Sequence, residues 1–78
     1  MEDLKVGVVG CGLISQLRHI PAYKKMKGVE VQAVCDLNED LARETALKFK
    51  IPKFYTETTK MFADEDLDIV DICVPPQI

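Results

Sequence analysis

Several features that mark common protein classes are missing from this sequence. The 78 residues include no Trp and one His, and aromatic residues make up 6% of the chain. A formal net charge of −3 argues against a nucleic-acid binder, which needs a basic face. No apolar run approaches the roughly 20 residues of a membrane-spanning helix, and the acidic start "MEDLK" does not resemble a secretion signal. We therefore expect no nucleic-acid or membrane partner and a cytoplasmic location.

Cysteine is also scarce. The three cysteines, Cys11, Cys35 and Cys73, are an odd number, and their spacing matches no zinc template. Each lies at or near the end of an apolar run, so we interpret them as small buried hydrophobic residues rather than metal ligands. For Cys11 the alternative is a thiol of lowered pKa, because a helix N-terminus beside it would favour the thiolate.

What the sequence does contain is an alternation of apolar runs and helical patterns. Residues 5–10, 30–36 and 68–74 are rich in Val and Ile, as in strands buried on both faces, and residues 53–55 form a shorter candidate strand. Helical patterns occupy residues 12–20, 38–50 and 56–64. This order predicts an α/β fold, a Rossmann-like doubly wound parallel sheet with strand order 3-2-1-4. We expect the first two helices on one face and the third on the other.

The helical patterns also predict which side chains face inward. In the first helix these are Leu13, Leu17 and Ile20, after which Pro21 interrupts or restarts the helix. Asn38 is expected to cap the second helix. Its inward stripe comprises Leu41, Ala42, Thr45, Ala46 and Phe49. For the third helix we expect Thr56 as the cap, with Met61 and Phe62 turned inward.

The strongest functional signal is the glycine pattern that ends the first strand. Gly10 would allow a tight turn, and Gly12 would let a pyrophosphate approach the backbone. The N–H groups of Leu13 and Ile14 at the helix start would then donate to its oxygens. Ser15 stands where the third glycine of a dinucleotide-binding pattern is usual. The alternative is a plain strand-to-helix corner.

An acidic residue at the end of the second strand supports the nucleotide interpretation. Asp36 follows the glycines at the distance that the dinucleotide pattern requires, and its carboxylate can accept both adenosine ribose hydroxyls. The carboxylate would repel a 2′-phosphate, and no Arg occurs in "DLNED" to neutralise one. NAD is therefore favoured over NADP. The alternative for Asp36 is a solvated helix-capping acid.

Three further features are less specific. The "VPP" segment, residues 74–76, ends the last strand because proline cannot continue a ladder. Asp71 lies inside that strand and should be paired or near an edge. For His19, helix position alone favours a surface or capping role over a catalytic one.

Taken together, "VGVVGCGLIS", "HIPA", "VCDLNEDLA" and "FYTETTKMFADEDLDIVDICVPP" resemble the N-terminal Rossmann domain of the Gfo/Idh/MocA oxidoreductases. The resemblance covers essentially the whole chain. It implies a two-domain NAD(P)-dependent enzyme that acts on sugars, inositols or related polyols. It also implies a set of cofactor-binding residues: Gly10, Gly12, Leu13 and Ile14 at the pyrophosphate, Asp36 and Leu37 at the ribose, Val74, Pro75 and Pro76 in the cofactor groove, and His19 towards the nicotinamide.

The same resemblance implies that much of the enzyme lies outside this chain. We expect residues 1–78 to be the N-terminal part of the cofactor domain, with the catalytic lysine region and the substrate and oligomerisation domain absent. No catalytic residue is assigned here, and we expect the chain alone to be inactive and the enzyme to be a homo-oligomer. Without a covering helix, apolar side chains of Val6, Val8, Val70 and Ile72 should be partly exposed, which favours self-association or marginal stability.

Two other functions remain open at this point. A non-catalytic, NAD-binding redox regulator would share these strands and differ only in the lysine region. A methyltransferase-like domain that binds S-adenosylmethionine also uses a glycine loop and an acid after the second strand, although the "HIPA" and "VPP" segments disfavour it.

Overall fold

The structure, a computed structural model, describes residues 3–73 and contains a four-stranded parallel sheet in the order β3-β2-β1-β4. The strands are β1 (Leu4–Val9), β2 (Val29–Cys35), β3 (Lys53–Tyr55) and β4 (Ile69–Ile72). The predicted α/β class, strand order and parallel pairing are confirmed. The first, second and fourth strands differ from the predicted ranges only at their ends.

Three helical segments connect the strands. A π-helical turn (Ser15–His19) leads directly into α1 (Ile20–Lys25), and the other two helices are α2 (Glu39–Phe49) and α3 (Thr58–Asp64). Pro21 lies at the start of α1, where the π-helical turn changes to an α-helix, so the predicted restart at this proline is confirmed. The Asn38 side chain accepts a hydrogen bond from the N–H of Leu41, which confirms the cap of α2.

A bulge in β2 sets which side chains face each layer of helices. Val6 pairs with Val31 but Gly7 pairs with Ala33, so β2 holds one extra residue at this point. Beyond the bulge, the alternation of β2 changes phase. Val31 and Val34 therefore share one face although they are three residues apart.

The core has two parts, one on each face of the sheet. The larger part packs Ile20 of α1 and Ala46 of α2 against Val6 and Val8 of β1. The smaller part packs Met61 of α3 against Ala33 and Cys35 of β2. The helices therefore lie on the faces that the sequence predicts, and the stripe of α2 is inward, with three residues buried and Leu41 and Phe49 packed against the core.

The predicted inward face of the first helix is wrong in part. Ile20 is fully buried, but Leu13 and Leu17 are exposed. In the π-helical turn the N–H of Ile20 bonds to the carbonyl of Ser15, five residues back, and these two residues are the ones buried. A pattern read with the α-helical period of 3.6 therefore assigns the wrong side chains to the core.

Two predictions on the other face of the sheet are also corrected. Phe62 is exposed, and α3 begins after Glu57 with no side-chain cap, so Thr56 does not cap it.

The expectation that Val6 and Val8 are partly exposed is wrong. Both side chains are completely buried because they face α1 and α2.

The expected exposure of β4 is confirmed. Val70 pairs with Gly7, and Ile72 pairs with Val9, on the face opposite to Val6 and Val8. Both side chains are exposed, Ile72 at 65%.

Among residues 3–73 no helix combines the length and apolar character needed to cross a bilayer.

Candidate functional site

The two glycines that follow β1 have different environments. Gly10 adopts a φ of 100°, and a Cβ built on it would overlap the backbone carbonyl of Cys73 beside it. A Cβ built on Gly12 would meet no heavy atom within 4 Å. Gly10 is thus needed by the fold itself, whereas the missing side chain of Gly12 leaves open space above the backbone.

The helix that starts at this corner has backbone N–H groups in its first turn that are not bonded within the helix. Residues 13–25 form one continuous helical run, so the N–H groups of Leu13 and Ile14 lie in its first turn, where a helix provides no partner for them. The Leu13 and Ile14 side chains point into solvent. Ser15 is only 1% exposed, so the place of the usual third glycine is a tight contact that accommodates a hydroxymethyl group.

Asp36 is held at the same corner by backbone donors. Its Oδ2 accepts a hydrogen bond from the N–H of Cys11 at 2.8 Å, and its Oδ1 accepts one from the N–H of Asn38 at 2.9 Å. An ionised carboxylate has about four acceptor sites, so two neutral donors leave capacity for further hydrogen bonds. The acid lies at the carboxyl edge of the sheet, beside the glycine corner.

A groove of about 570 Å³ runs along this edge of the sheet. Its floor is formed by the ends of β1 and β2, and its far wall by the residues that lead into α3. The lining residues are Val9, Gly10, Cys35, Asp36, Leu37, Thr56, Glu57, Thr58 and Thr59. Leu37, whose side chain is 91% exposed, stands at the rim. The groove therefore includes the predicted ribose residues Asp36 and Leu37 and reaches the glycine corner at Gly10.

Residues 56–59 are the part of this groove that sequence reasoning missed. They carry no motif, and they reach the groove only because α3 packs beneath β2 and β3. A second missed contact lies in the glycine corner, where Gln16 Nε2 donates to the carbonyl of Cys11 at 2.8 Å. This bond fixes the segment between the two glycines.

The cysteines behave as buried thiols within residues 3–73. Cys11 and Cys35 are buried and Cys73 is half-buried, all of them free. Burial raises the pKa of the Cys11 thiol to about 11, so the alternative of a lowered pKa at the helix start is wrong. Burial also raises the pKa of Cys35.

His19 lies outside the groove and takes part in a different cluster. Its Nδ1–H donates to Asp71 Oδ2 at 2.8 Å, and the Tyr23 hydroxyl donates to the same oxygen at 2.7 Å. Burial acts to raise the pKa of the Asp71 carboxyl, but the hydrogen bonds from His19, Tyr23 and Cys73 outweigh it, and the pKa is lowered. The expectation that Asp71 is paired is confirmed. Tyr23 was missed, although it lies four residues after His19 on the same helical run.

Of the predicted cofactor residues, Gly10, Asp36 and Leu37 line the groove, whereas Gly12, Leu13 and Ile14 follow Gly10 along the chain and do not line it. Val74, Pro75 and Pro76 lie outside the described residues.

The arrangement fits a dinucleotide in its main elements. Open backbone over Gly12 and free donors at a helix start suit a pyrophosphate, because both the N–H groups and the helix dipole favour negative charge. A carboxylate at the end of the neighbouring strand suits two ribose hydroxyls.

Comparison with known proteins agrees with this geometry. Residues 4–78 match the family model GFO_IDH_MocA, described as "Oxidoreductase family, NAD-binding Rossmann fold". The chain is similar to the D-apiose dehydrogenase of Paraburkholderia graminis, with 34% identity over 72 residues. It is also similar to the inositol 2-dehydrogenase/D-chiro-inositol 3-dehydrogenase of Shouchella clausii, with 39% identity over 69 residues. These matches cover 92% and 86% of this chain, and 19% and 20% of the relatives.

A solved structure supports the same assignment. An oxidoreductase from Agrobacterium radiobacter, in complex with NAD⁺, L-tartaric acid and magnesium, superposes with a TM-score of 0.86 at 30% identity. The superposition covers 94% of this chain and 21% of that one. The chain thus spans about a fifth of the length of the proteins it matches.

Proposed function

Because the chain belongs to the Gfo/Idh/MocA oxidoreductase family, with its NAD-binding Rossmann fold, we propose that the glycine corner and the groove beside it bind NAD. In this proposal the pyrophosphate lies over Gly10 and Gly12 and accepts hydrogen bonds from the N–H groups of Leu13 and Ile14. The adenosine ribose lies against Asp36 and Leu37. Val74, Pro75 and Pro76 line the groove further along, and His19, which is bonded to Asp71 outside the groove, lies beyond it on the nicotinamide side.

The observation that carries this proposal is the contrast between the two glycines. Gly10 is required by the backbone, whose φ of 100° and contact with Cys73 exclude a side chain. No such requirement exists at Gly12, which faces open space. A glycine that the fold does not require, immediately before the first turn of a helix and near a fixed carboxylate, is explained by a ligand that approaches the backbone closely.

We propose NAD rather than NADP because of the charge at the ribose position. A 2′-phosphate placed beside the Asp36 carboxylate would meet a like charge. The residue that follows Asp36 is Leu37, and the one after it, Asn38, is neutral. Arg43, the nearest arginine along the chain, pairs with Asp40 at 2.6 Å instead.

Titration of NAD and NADP into the purified protein tests the cofactor assignment. Wild type should bind NAD more tightly. Asp36→Asn should weaken NAD binding by about tenfold, because hydrogen bonds to a charged acceptor contribute roughly 1.5–3 kcal/mol. The same variant should reduce the difference in affinity between NAD and NADP. Glu44→Gln, which changes an exposed acid of α2 outside the groove, is the matched control and should leave both affinities unchanged.

Two outcomes would contradict this assignment. Equal affinity of wild type for NAD and NADP would remove the argument for NAD preference. Binding of S-adenosylmethionine in place of NAD would replace the dinucleotide by the methyltransferase-type ligand. Thermal unfolding of each variant checks that the change acts on the site and not on the fold.

For the whole enzyme we propose hydride transfer between the nicotinamide and a hydroxyl-bearing carbon of a sugar, inositol or related polyol, in a homo-oligomer. The names of the relatives support this substrate class, since one acts on D-apiose and another on inositols. The bound cofactor supplies the hydride chemistry, while residues of this chain bind and orient it. If a longer protein that carries this chain binds NAD but does not reduce it with any polyol as substrate, the result would support the redox-regulator alternative.

A further inference from the structure

A second group of chemically reactive side chains lies behind the glycine corner, outside the groove. His19, the only histidine of the chain, offers Nδ1, while Asp71 offers a carboxylate oxygen and Cys73 its Sγ. These three atoms lie within 4.8 Å of one another, and all three residues are half-buried. The dinucleotide proposal places no ligand between them.

We propose that His19, Asp71 and Cys73 bind one divalent zinc ion. One nitrogen, one oxygen and one sulfur donor is a set suited to Zn²⁺, whereas Mg²⁺ and Ca²⁺ take oxygen ligands. Three protein ligands leave a fourth tetrahedral position for water. Zinc binds neutral imidazole, carboxylate and thiolate at bond lengths of about 2.0–2.3 Å. In a tetrahedral site this places neighbouring ligand atoms roughly 3.3–3.8 Å apart.

Two of the present distances belong to hydrogen bonds that a bound ion would replace, so the imidazole and the carboxylate must move apart to admit it. His19 Nδ1 is 2.8 Å from Asp71 Oδ2, and Cys73 Sγ is 3.4 Å from Asp71 Oδ1. The ligands come from two well-fixed elements, the π-helical turn and the end of β4. Asp71 and Cys73 are two residues apart on an extended strand, so their side chains share a face, and the bond from Cys73 N–H to the Val9 carbonyl continues the ladder there.

The surroundings supply the two other features of a metal site. Tyr23 donates its hydroxyl to Asp71 at 2.7 Å, the kind of outer hydrogen bond that orients a carboxylate ligand. His19 and Tyr23 also border a shallow cavity of about 300 Å³ with Arg18, Ala22 and Met26, which exposes the imidazole side of the site; Asp71 and Cys73 do not line it. Binding releases the Cys73 thiol proton and requires that Nδ1 of His19 give up the proton it shares with Asp71, so that the neutral ring carries its one proton on Nε2.

Occupation of this site would tie the first helical segment to β4. The carbonyl of Cys73 packs directly against Gly10, so the ion would stabilise the backbone of the glycine corner from behind. The inference does not depend on the proposed function, because the metal is measured without a dinucleotide.

Titration of the purified protein with Co²⁺ as a spectroscopic substitute for zinc tests the site. We expect one equivalent to bind with a thiolate-to-cobalt charge-transfer band, and Zn²⁺ to displace it. Cys73→Ser should abolish the band. His19→Gln and Asp71→Asn should each weaken binding by more than about tenfold, and Tyr23→Phe, which removes only the outer hydrogen bond, by about tenfold.

Cys35→Ser is the matched control, since Cys35 lies on the other face of the sheet with Met61. It should keep the band unchanged, and circular dichroism should show each variant folded before titration. Absence of the band in wild type would overturn the proposal. So would a band that survives in Cys73→Ser or is lost in Cys35→Ser.

Discussion

At the scale of single residues, the two glycines of the corner separate a folding requirement from a binding requirement. Gly10 has a positive φ and lies in contact with the backbone of Cys73. Gly12 shows neither constraint. Substitution at the first should therefore change stability, and substitution at the second should change only what the corner can bind.

Gly10→Ala should destabilise the protein by about 2 kcal/mol or more, because the new methyl group meets both an unfavourable φ and the Cys73 carbonyl. Urea unfolding followed by circular dichroism measures this. Gly28→Ala is the matched control: Gly28 has a φ of 78° but open space around it. It should cost about 1 kcal/mol, the backbone penalty alone. Equal losses in the two variants would show that the contact with Cys73 contributes nothing.

At the scale of elements, α2 depends on its first turn. Asn38 Oδ1 accepts from the N–H of Leu41 at 3.1 Å, and Glu39 and Asp40 follow in the positive end of the helix dipole. Asn38→Ala should lower the free energy of unfolding by about 1 kcal/mol. Asn38→Asp keeps an acceptor and should retain most of the stability. If both variants unfold at the same urea concentration, the side chain does not act as a cap.

The hydrogen bond between Tyr23 of α1 and Asp71 of β4 predicts the pH at which Tyr23 ionises. Its hydrogen bond to Asp71, with burial, raises the pKa of Tyr23 to about 12. Because the pKa is raised in the folded state, the stabilisation is fully present below the ordinary tyrosine value near pH 10 and is lost as pH rises towards 12.

Ultraviolet absorbance of tyrosinate in the folded protein measures this effect. Tyr55, which donates to Glu65, also has its pKa raised to about 12, so neither tyrosine should ionise near pH 10 in wild type. In Asp71→Asn one of the two should ionise nearer pH 10, and Tyr55 serves as the internal control. Ionisation of a tyrosine near pH 10 in folded wild type would contradict the assigned hydrogen bonds.

The elements also show where sequence reasoning succeeds and where it fails. For α2 the cap and the inward stripe have the regular α-helical period, and both predictions are confirmed. The π-helical turn breaks that period, so Leu13 and Leu17 were assigned to the core although they are exposed. Nothing in the letters "SQLRH" indicates a π-helical turn, so the sequence pattern alone could not place Leu13 and Leu17 outside the core.

At the scale of the whole molecule, alternation of apolar runs and helical patterns was sufficient for the sheet. The parallel pairing brings Gly10, which follows β1, beside Asp36, which follows β2, as the pattern requires. The far wall of the groove could not be predicted, since residues 56–59 reach it through the tertiary packing of α3. The exposure of Val6 and Val8 was predicted wrongly because the two faces of β1 could not be assigned without the register to β4.

The exposed face of β4 predicts the association behaviour of the isolated chain. Val70 and Ile72 present apolar surface on one face of β4, and such surface favours contacts with further copies. Sedimentation velocity at increasing concentration should show self-association. Val70→Lys with Ile72→Thr should reduce it with little loss of stability, because both side chains are already exposed. Val6→Thr, a buried control, should instead destabilise the monomer. A chain that stays monomeric at high concentration would contradict the prediction.

The central claim is that bare backbone over Gly12 binds the pyrophosphate of NAD, and calorimetric titration of NAD into Gly12→Val tests it most directly. The added side chain has room in the free protein, so the variant should unfold at nearly the wild-type temperature while NAD binding falls by at least about a hundredfold, since it fills the space the pyrophosphate needs. Leu13→Ala, which alters an adjacent exposed side chain and keeps the backbone donors, should bind NAD as wild type does. Undiminished NAD binding by Gly12→Val would contradict the account.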